Sequence, residues 1–392
     1  DTAAPEGYNP FYISHIGRHG SRYHDSAKKF DKAPEKIRKA AETGMLTERG
    51  MALYRELMKV DSATVGNLGK LSELGAEEHQ MIAKRMYRRF PEVFSSEERI
   101  YVDAASSTVR RCQESMMAFT KRLKKERKSL KVNVHSGDSY MAYLLYKPAE
   151  YFDIVHLGRD VTDSLAKALL DTTAFLSSIF KDPEEGAKLV SPSWKFMREV
   201  LIWGSIAPDI RLDGVCVPAY YTEDMRYQLA KVNACRIYSE MCNSVESGGR
   251  RMSLTETLLS DFIAKADAAL TSGSQRAADL RFAHDVSVAP LSALIGIEGC
   301  DKRLPAKDVW KYWMTSEYVP MAMNLQMVFY RKDGDAKCKD VLVKFLLNEQ
   351  ERLVPALTPV EGPYYRWKDV RKFLLEKLKY AHEINVRWGV AQ

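Results

Sequence analysis

The sequence predicts an α/β protein: a layered α/β core with a mainly parallel central sheet and an inserted helical cap. Three observations carry this. Short β-rich runs alternate with amphipathic helical stretches over 1–135, and the alternation resumes over 276–392. The block between them, 136–275, reads mostly helical, with breaks around Lys181-Asp182-Pro183, Pro192, Pro208 and Gly248-Gly249. Dense polar clusters follow directly on several strand-like runs. The expected division is a core from 1–135 together with 276–392, and a cap from 136–275.

In chain order, Phe11 to Ile16 is a β-rich run stopped by Gly17. Leu46 to Val60 and Ala76 to Phe90 have helical spacing. Ile100-Tyr101-Val102 reads as a strand. Ser106-Ser107-Thr108 then offer helix N-caps. Val109, Cys112, Met116, Phe119 and Leu123 follow at steps of three and four, an apolar helical stripe. Lys131 to His135 is a further strand. Trp194 to Trp203 and Met225 to Val245 are the clearest helices of the cap. Asp279 to Ala283 is a short strand, and Val286 to Ile295 a helix stopped by Gly296. Gln326 to Arg331 and Val341 to Leu347 flank the turn-rich Lys332-Asp333-Gly334-Asp335, a hairpin signature. Trp367 to Ile384 closes the chain as a helix.

Composition narrows the class. Of 392 residues, 45% are hydrophobic and 10% aromatic, enough for a large core. Disorder, collagen-like repeats and a disulfide-dense miniprotein are excluded. At about 150 residues per domain, the length fits two domains or one with a large insertion. No run approaches the ~18 apolar residues of a membrane span. There are 59 Lys and Arg against 52 Asp and Glu, a net charge of +7 that suits an anionic ligand. Much of the excess lies between Lys121 and Lys131, read as a solvated helix end rather than a nucleic-acid surface, because no aromatics interleave it. The six cysteines form no Cys-x-x-Cys pair, so a zinc ribbon or thioredoxin-type motif is not expected. The chain starts Asp1-Thr2-Ala3-Ala4-Pro5, which reads as a mature end left by signal-peptide removal and so as an exported protein.

The densest polar cluster is His15-Ile16-Gly17-Arg18-His19-Gly20-Ser21-Arg22-Tyr23-His24. Two guanidinium groups beside one imidazole repel unless an anion lies between them. Arginine forks match phosphate oxygens and push the histidine toward its neutral, nucleophilic form. Gly20 lets the backbone approach an anion closely. A second piece is Arg111, in the first turn of a helix, where anions are favoured; Arg110 beside it competes for the same role. The third piece is His284-Asp285, at a strand-to-helix junction, able to supply a ligand and a proton donor. All three fall at the C-terminal ends of expected strands, where open α/β sheets place ligands.

Arg18-His19-Gly20-Ser21-Arg22 with a distant His284-Asp285 resembles the histidine acid phosphatase family. This is the branch that includes phytases and multiple inositol polyphosphate phosphatases. Leu68 to Gly75 with Glu78 and Gln80, Arg111-Cys112-Gln113-Glu114-Ser115 with Phe119, and Pro320-Met321-Ala322-Met323-Asn324-Leu325 are similar to family segments, and that register selects Arg111 over Arg110. The similarity spans roughly 11–350. Where many members read His-Asp-Thr-Asn, this chain has His284-Asp285-Val286-Ser287; the inositol polyphosphate phosphatases usually carry His-Ala-Glu. The resemblance implies a histidine phosphatase-like fold and a metal-independent phosphomonoester hydrolase without cofactors. It implies His19 as nucleophile forming a phosphohistidine and Asp285 as proton donor. Arg18, Arg22, Arg111 and His284 would bind phosphate.

His24 (with Asp25) and Lys28 (with Lys29) are candidates for substrate preference. The expected partner is a small phosphorylated substrate, phytate or another inositol polyphosphate among the options, with no nucleic acid and no membrane span. Two rivals stand beside this reading. One is a metal-dependent phosphohydrolase using a His15/His19/His24 cluster, which Arg18 and Arg22 would oppose by repelling a cation. The other is a polyanion-binding protein without turnover.

Overall fold

The computed structural model describes residues 1–25 and 32–390. Lys28 and Lys29 lie outside the described residues. The chain divides into two compact units. The first comprises Asp1–Gly20, Ala76–Arg159 and Ala234–Gln392; the second comprises Ser21–Gly75 and Asp160–Asn233. Of the stretch expected as the cap, 136–159 and 234–275 therefore belong to the first unit and 160–233 to the second.

The first unit is built on one sheet: β1 (Tyr8–Arg18), β2 (Tyr101–Ser106), β3 (Lys131–Ser136), β4 (Arg276–Ala283), β5 (Asn324–Lys332), β6 (Val341–Leu347), β7 (Gln350–Arg352) and β8 (Tyr365–Arg366). The order is β3-β2-β4-β1-β5-β6-β7, with β8 also paired to β6. The expected mainly parallel sheet is met in part. Only the β3-β2-β4-β1 part is parallel. The pairings of β5 with β1 and of β6 with β5, β7 and β8 are antiparallel. For β5–β6 and β6–β7 the reason is local: parallel neighbours need a long crossover, whereas short connections give antiparallel pairing. Residues 333–340, which include most of the expected turn, join β5 to β6. Asn348 and Glu349, both with positive φ (51° and 64°), make the two-residue link from β6 to β7.

Side-chain alternation gives the sheet two buried faces. Tyr12 and Ile16 of β1, Leu325, Met327 and Phe329 of β5, and Val343 and Phe345 of β6 share a core with Phe262, Leu291, Trp367 and Leu374. Ile13 of β1, Leu280 and Phe282 of β4, and Val328 of β5 pack on the other side with Met86, Phe94, Phe119 and Leu123. Helices thus cover both faces. In helix Arg110–Glu126 the predicted stripe Cys112, Met116, Phe119 and Leu123 is buried, and Lys124 and Lys125 occupy its last turn. Polar contacts tie β4 to its neighbours: Tyr12 Oη of β1 donates to Asp279 at 2.8 Å, and Arg281 Nε donates to Asp261 of helix Glu256–Ala269 at 2.6 Å.

The second unit is helical. Helices Lys32–Glu42, Glu48–Thr64, Thr173–Ile179 and Ser193–Gly204 enclose a core that includes Ile37, Leu53, Phe175, Phe196, Trp203 and Tyr221. Among the described residues, no helix of the chain is long and apolar enough to cross a membrane. None of the six cysteines is joined in a disulfide.

Candidate active site

Three neighbouring parallel strands, β2, β4 and β1, end at the same edge of the sheet. Arg18 is the last residue of β1, and His284 and Asp285 follow β4 directly. Arg111 lies in the first turn of the helix that follows β2. The expectation that these residues lie past strand ends thus becomes a spatial cluster.

The backbone around His19 is held on both sides. His19 N–H donates to Ala283 O at 3.0 Å, Arg18 N–H donates to Met323 O at 2.7 Å, and Ala322 N–H donates to His19 O at 3.1 Å. Ala322, with φ 54°, turns the Pro320–Leu325 segment back against the motif. Gly20 N–H donates to Ser115 Oγ at 3.2 Å. His19 is 2% exposed, and its Nδ1 lies 2.9 Å from Gly20 O. A carbonyl only accepts, so Nδ1 carries a proton, and in the neutral ring the lone pair falls on Nε2. The His19 and His284 rings stand edge to face at 5.6 Å.

Arg18 bridges the site. Its Nη1 donates to Val319 O and Pro320 O at 2.9 and 3.1 Å, and its Nη2 pairs with Asp285 Oδ2 at 2.9 Å. Asp285 Oδ1 accepts from Val286 N–H at 2.8 Å. Burial would raise the Asp285 carboxyl, but Arg18, His19, His284 and that N–H outweigh it and hold the group well below the usual carboxylate range. His284 is 3% exposed; its Nε2 lies 3.1 Å from Ser107 Oγ and 3.4 Å from Cys112 Sγ. Burial, then the Arg111 charge, push its pKa down to about 3, with Lys147 and Arg18 adding and Asp285 opposing. His284 is therefore a neutral group among cations.

The structure also separates the two adjacent arginines. Arg110 is exposed and ion-paired with Glu114 at 2.6 Å. Arg111 is half-buried, its Nε shielded from solvent and without a hydrogen-bond partner among the described residues. Its field falls on His284.

Arg22 and His24 belong to the second unit. Arg22 Nη1 donates to Tyr23 O at 2.8 Å, and its backbone bridges to Leu71. His24 stacks on Trp203 (4.5 Å, 12°) with Nε2 3.0 Å from Trp203 O, and burial leads in lowering its pKa. Ser72 N–H and Oγ both donate to Ser21 O at 2.9 Å. A Cβ on Gly75 would sit 2.1 Å from that same oxygen, so only glycine fits there. The Leu68–Gly75 segment thus braces the second half of the motif.

His15, offered above as a metal ligand, packs against Phe119 and Phe282 at 5.4 and 5.7 Å and is fully buried. Among the described residues no group of His, Cys, Asp and Glu is arranged to hold a metal ion. Several contributors escape sequence reading. His79 donates from Nε2 to Arg18 O at 3.1 Å. Ser107, read as a helix cap, contacts His284 instead, and Val109 starts the helix without a side-chain cap. Cys112 and Ser115 are visible in the sequence only as part of a helix. Lys147 carries no sequence signal at all.

Part of the sequence and the fold are similar to known proteins. Residues 219–348 match the family described as "Histidine phosphatase superfamily (branch 2)". None of the curated proteins compared matches the chain. The Bifidobacterium longum multiple inositol polyphosphate phosphatase, in complex with inositol hexasulfate, superposes with a TM-score of 0.79 at 20% identity, covering 95% of this chain and 94% of that one. This is the histidine phosphatase fold. The D. castellii phytase (TM-score 0.68, 15% identity, 96% and 81% covered) has it too. So does the Hafnia alvei phytase in complex with myo-inositol hexakis sulphate (0.60, 11%, 96% and 99%). The resemblance to histidine acid phosphatases thus holds in the fold and, independently, in the matched segment that contains His284-Asp285 and Pro320–Leu325.

Proposed function

We propose that the chain is a metal-independent phosphomonoester hydrolase acting through a phosphohistidine, with inositol polyphosphates as its substrate class. The observation that carries this is the His19 tautomer fixed by Gly20 O, set among Arg18, Arg111, His284 and Asp285. His19 Nε2 attacks phosphorus; the new P–N bond forms as the P–O bond to the leaving alcohol breaks. Protonated Asp285 gives its proton to that departing oxygen. In the second step the Asp285 carboxylate takes a proton from water as the water oxygen attacks phosphorus, and the P–N bond breaks to release inorganic phosphate. Arg18, Arg111 and His284 hold the phosphoryl oxygens, and Arg22, three residues after His19, joins them by its place in the motif. Phosphoryl transfer depends mainly on such positioning and charge stabilisation.

Substrate binding is what lets Asp285 hold a proton. A dianionic phosphate group drawing on the Arg18 charge weakens the ion pair that keeps the carboxyl acidic. The substrate class rests on the inositol hexasulfate bound by the B. longum enzyme and on the excess positive charge of this chain. His24 and Lys28 would tune preference among phosphorylated substrates. Export, expected above, belongs to the same proposal.

The test is phosphate release at pH about 5 from p-nitrophenyl phosphate and phytate, with EDTA present, for wild type and His19→Ala. Turnover by wild type alone, with a phosphohistidine trapped by rapid quench, supports the reading. Turnover abolished by EDTA and restored by a divalent metal supports the metal-dependent rival. Phytate binding without turnover supports a polyanion-binding protein.

A further inference from the structure

The helix that presents Asp285, residues Asp285–Ile295, contains Pro290. Proline has no N–H, so the carbonyl four residues earlier, that of Val286, loses its regular helical donor. The Arg251 guanidinium takes its place: Nη2 donates to Val286 O at 2.5 Å. Arg251 is 1% exposed. Its Nε donates to Glu240 O at 2.8 Å, and its guanidinium carbon lies 4.8 Å from the centre of the Tyr151 ring. Among the described residues no carboxylate forms an ion pair with it. Its charge is felt by Asp285, the residue next to the carbonyl it holds.

Burying a cation without a contacting anion is costly, and an apolar side chain of similar length would fill the same space at lower cost. The arrangement therefore needs a use. Pro290 loosens the first turn of the helix at the point where Asp285 must aim its carboxyl. Arg251 restores the missing bond and adds a positive charge behind the acid.

We propose that Arg251 is a positioning residue for Asp285, supplying the hydrogen bond that Pro290 removes and so fixing the turn that aims the carboxyl. This rests on the reading of Asp285 as proton donor. The two residues form a compensating pair, so their substitutions are coupled rather than additive.

The test is a double-mutant cycle of Arg251→Met, Pro290→Ala and the pair. It is read as kcat and KM on an aryl ester (p-nitrophenyl phosphate) and an alkyl ester (glycerol 2-phosphate), with Asp285→Asn alongside. An aryl leaving group departs without a proton; an alkoxide does not. Arg251→Met is expected to lower kcat for the alkyl ester at least tenfold more than for the aryl ester, with KM little changed. Pro290→Ala alone is expected to stay near wild type. In the double variant the backbone N–H restored at position 290 serves the Val286 carbonyl, and most of the loss is recovered. Equal losses on both esters, or no recovery in a double variant with native near-UV circular dichroism, overturn the inference. Arg251→Met failing to fold while the double variant folds without recovering alkyl-ester turnover overturns it as well. If Asp285→Asn itself shows no ester dependence, the proton-donor reading falls and takes this inference with it. Ester dependence in Asp285→Asn but not in Arg251→Met removes the inference alone.

Discussion

The Arg18 guanidinium and the Asp285 carboxylate meet at 2.9 Å, although 267 residues separate them in sequence. The pair ties the end of β1 to the residue after the β4 junction, and it sets the acidity of the proposed proton donor. Replacing Arg18 with Met removes the leading cause of the depressed Asp285 pKa. The carboxyl should then keep its proton to higher pH, and the alkaline limb of kcat/KM should move up by about 1–3 pH units while its height falls. A pH profile for wild type and Arg18→Met checks this. A lower profile of unchanged shape refutes the assignment.

Arg110 and Arg111 make a matched pair for substitution. Arg111→Ala should reduce kcat/KM by about 10²–10³-fold, the usual cost of losing one group that stabilises transition-state charge. It should also raise the His284 pKa, because a neighbouring cation is gone. Arg110→Ala removes an exposed ion pair with Glu114 and should change stability by no more than about 0.5 kcal/mol, with activity kept. Steady-state kinetics and an NMR titration of His284 read both outcomes.

Gly75→Ala should disable the second half of the Arg-His-Gly-x-Arg motif from a distance in sequence. The added methyl would overlap the Ser21 carbonyl at 2.1 Å and the Ser21 nitrogen at 2.8 Å, both backbone atoms that cannot rotate away. A loss of about 1–3 kcal/mol is expected from overpacking, together with a larger fall in activity. Thermal unfolding and turnover, measured together, decide it.

How far the sequence reaches is clear from particular residues. The β5–β6 hairpin and helix Asp285–Ile295 are legible because alternation, turn residues and the stop at Gly296 are local signals. The parallel share of the sheet is overstated by sequence reading. β7 and β8 have three and two residues, too few to carry a period, and the antiparallel pairing of β1 with β5 joins segments more than 300 residues apart. In the site, Arg18, His19, His284 and Asp285 are readable because two cations around an imidazole make little sense without an anion. The choice of Arg111 needs either family register or burial. Ser107 and Ser115 are unreadable in their actual roles, since a hydroxyl's partner is set by tertiary packing.

Acid should weaken the fold as well as drive the chemistry. His15 and His79 are buried and neutral, with pKa values pushed down by burial to about 3 and about 4, and His284 to about 3, against 6.5 for a free imidazole. Between these values and 6.5 the unfolded chain binds more protons than the folded one. Stability therefore rises with pH through that window and falls as pH is lowered from 6.5 toward 4. His15→Phe, which keeps the ring packing with Phe119 and Phe282, should flatten the slope by up to about 1.4 kcal/mol per pH unit. Urea unfolding across pH 4–7 measures it; an unchanged slope shows that His15 binds its proton equally in the folded and unfolded chain.

The place of β1 has a consequence for how the molecule comes into being. β1 is made before its two sheet neighbours: it lies between β4, which begins at residue 276, and β5, which begins at residue 324. Both of its hydrogen-bonding edges wait for chain that is made late. Such long-range closure is slow and leaves strand edges open to wrong partners in the meantime. The proposed nucleophile sits at the tip of that strand and meets its phosphate-binding and acidic companions only when most of the polypeptide has been synthesised. A nascent or truncated chain thus carries the complete Arg-His-Gly-x-Arg motif with none of the geometry that gives it meaning.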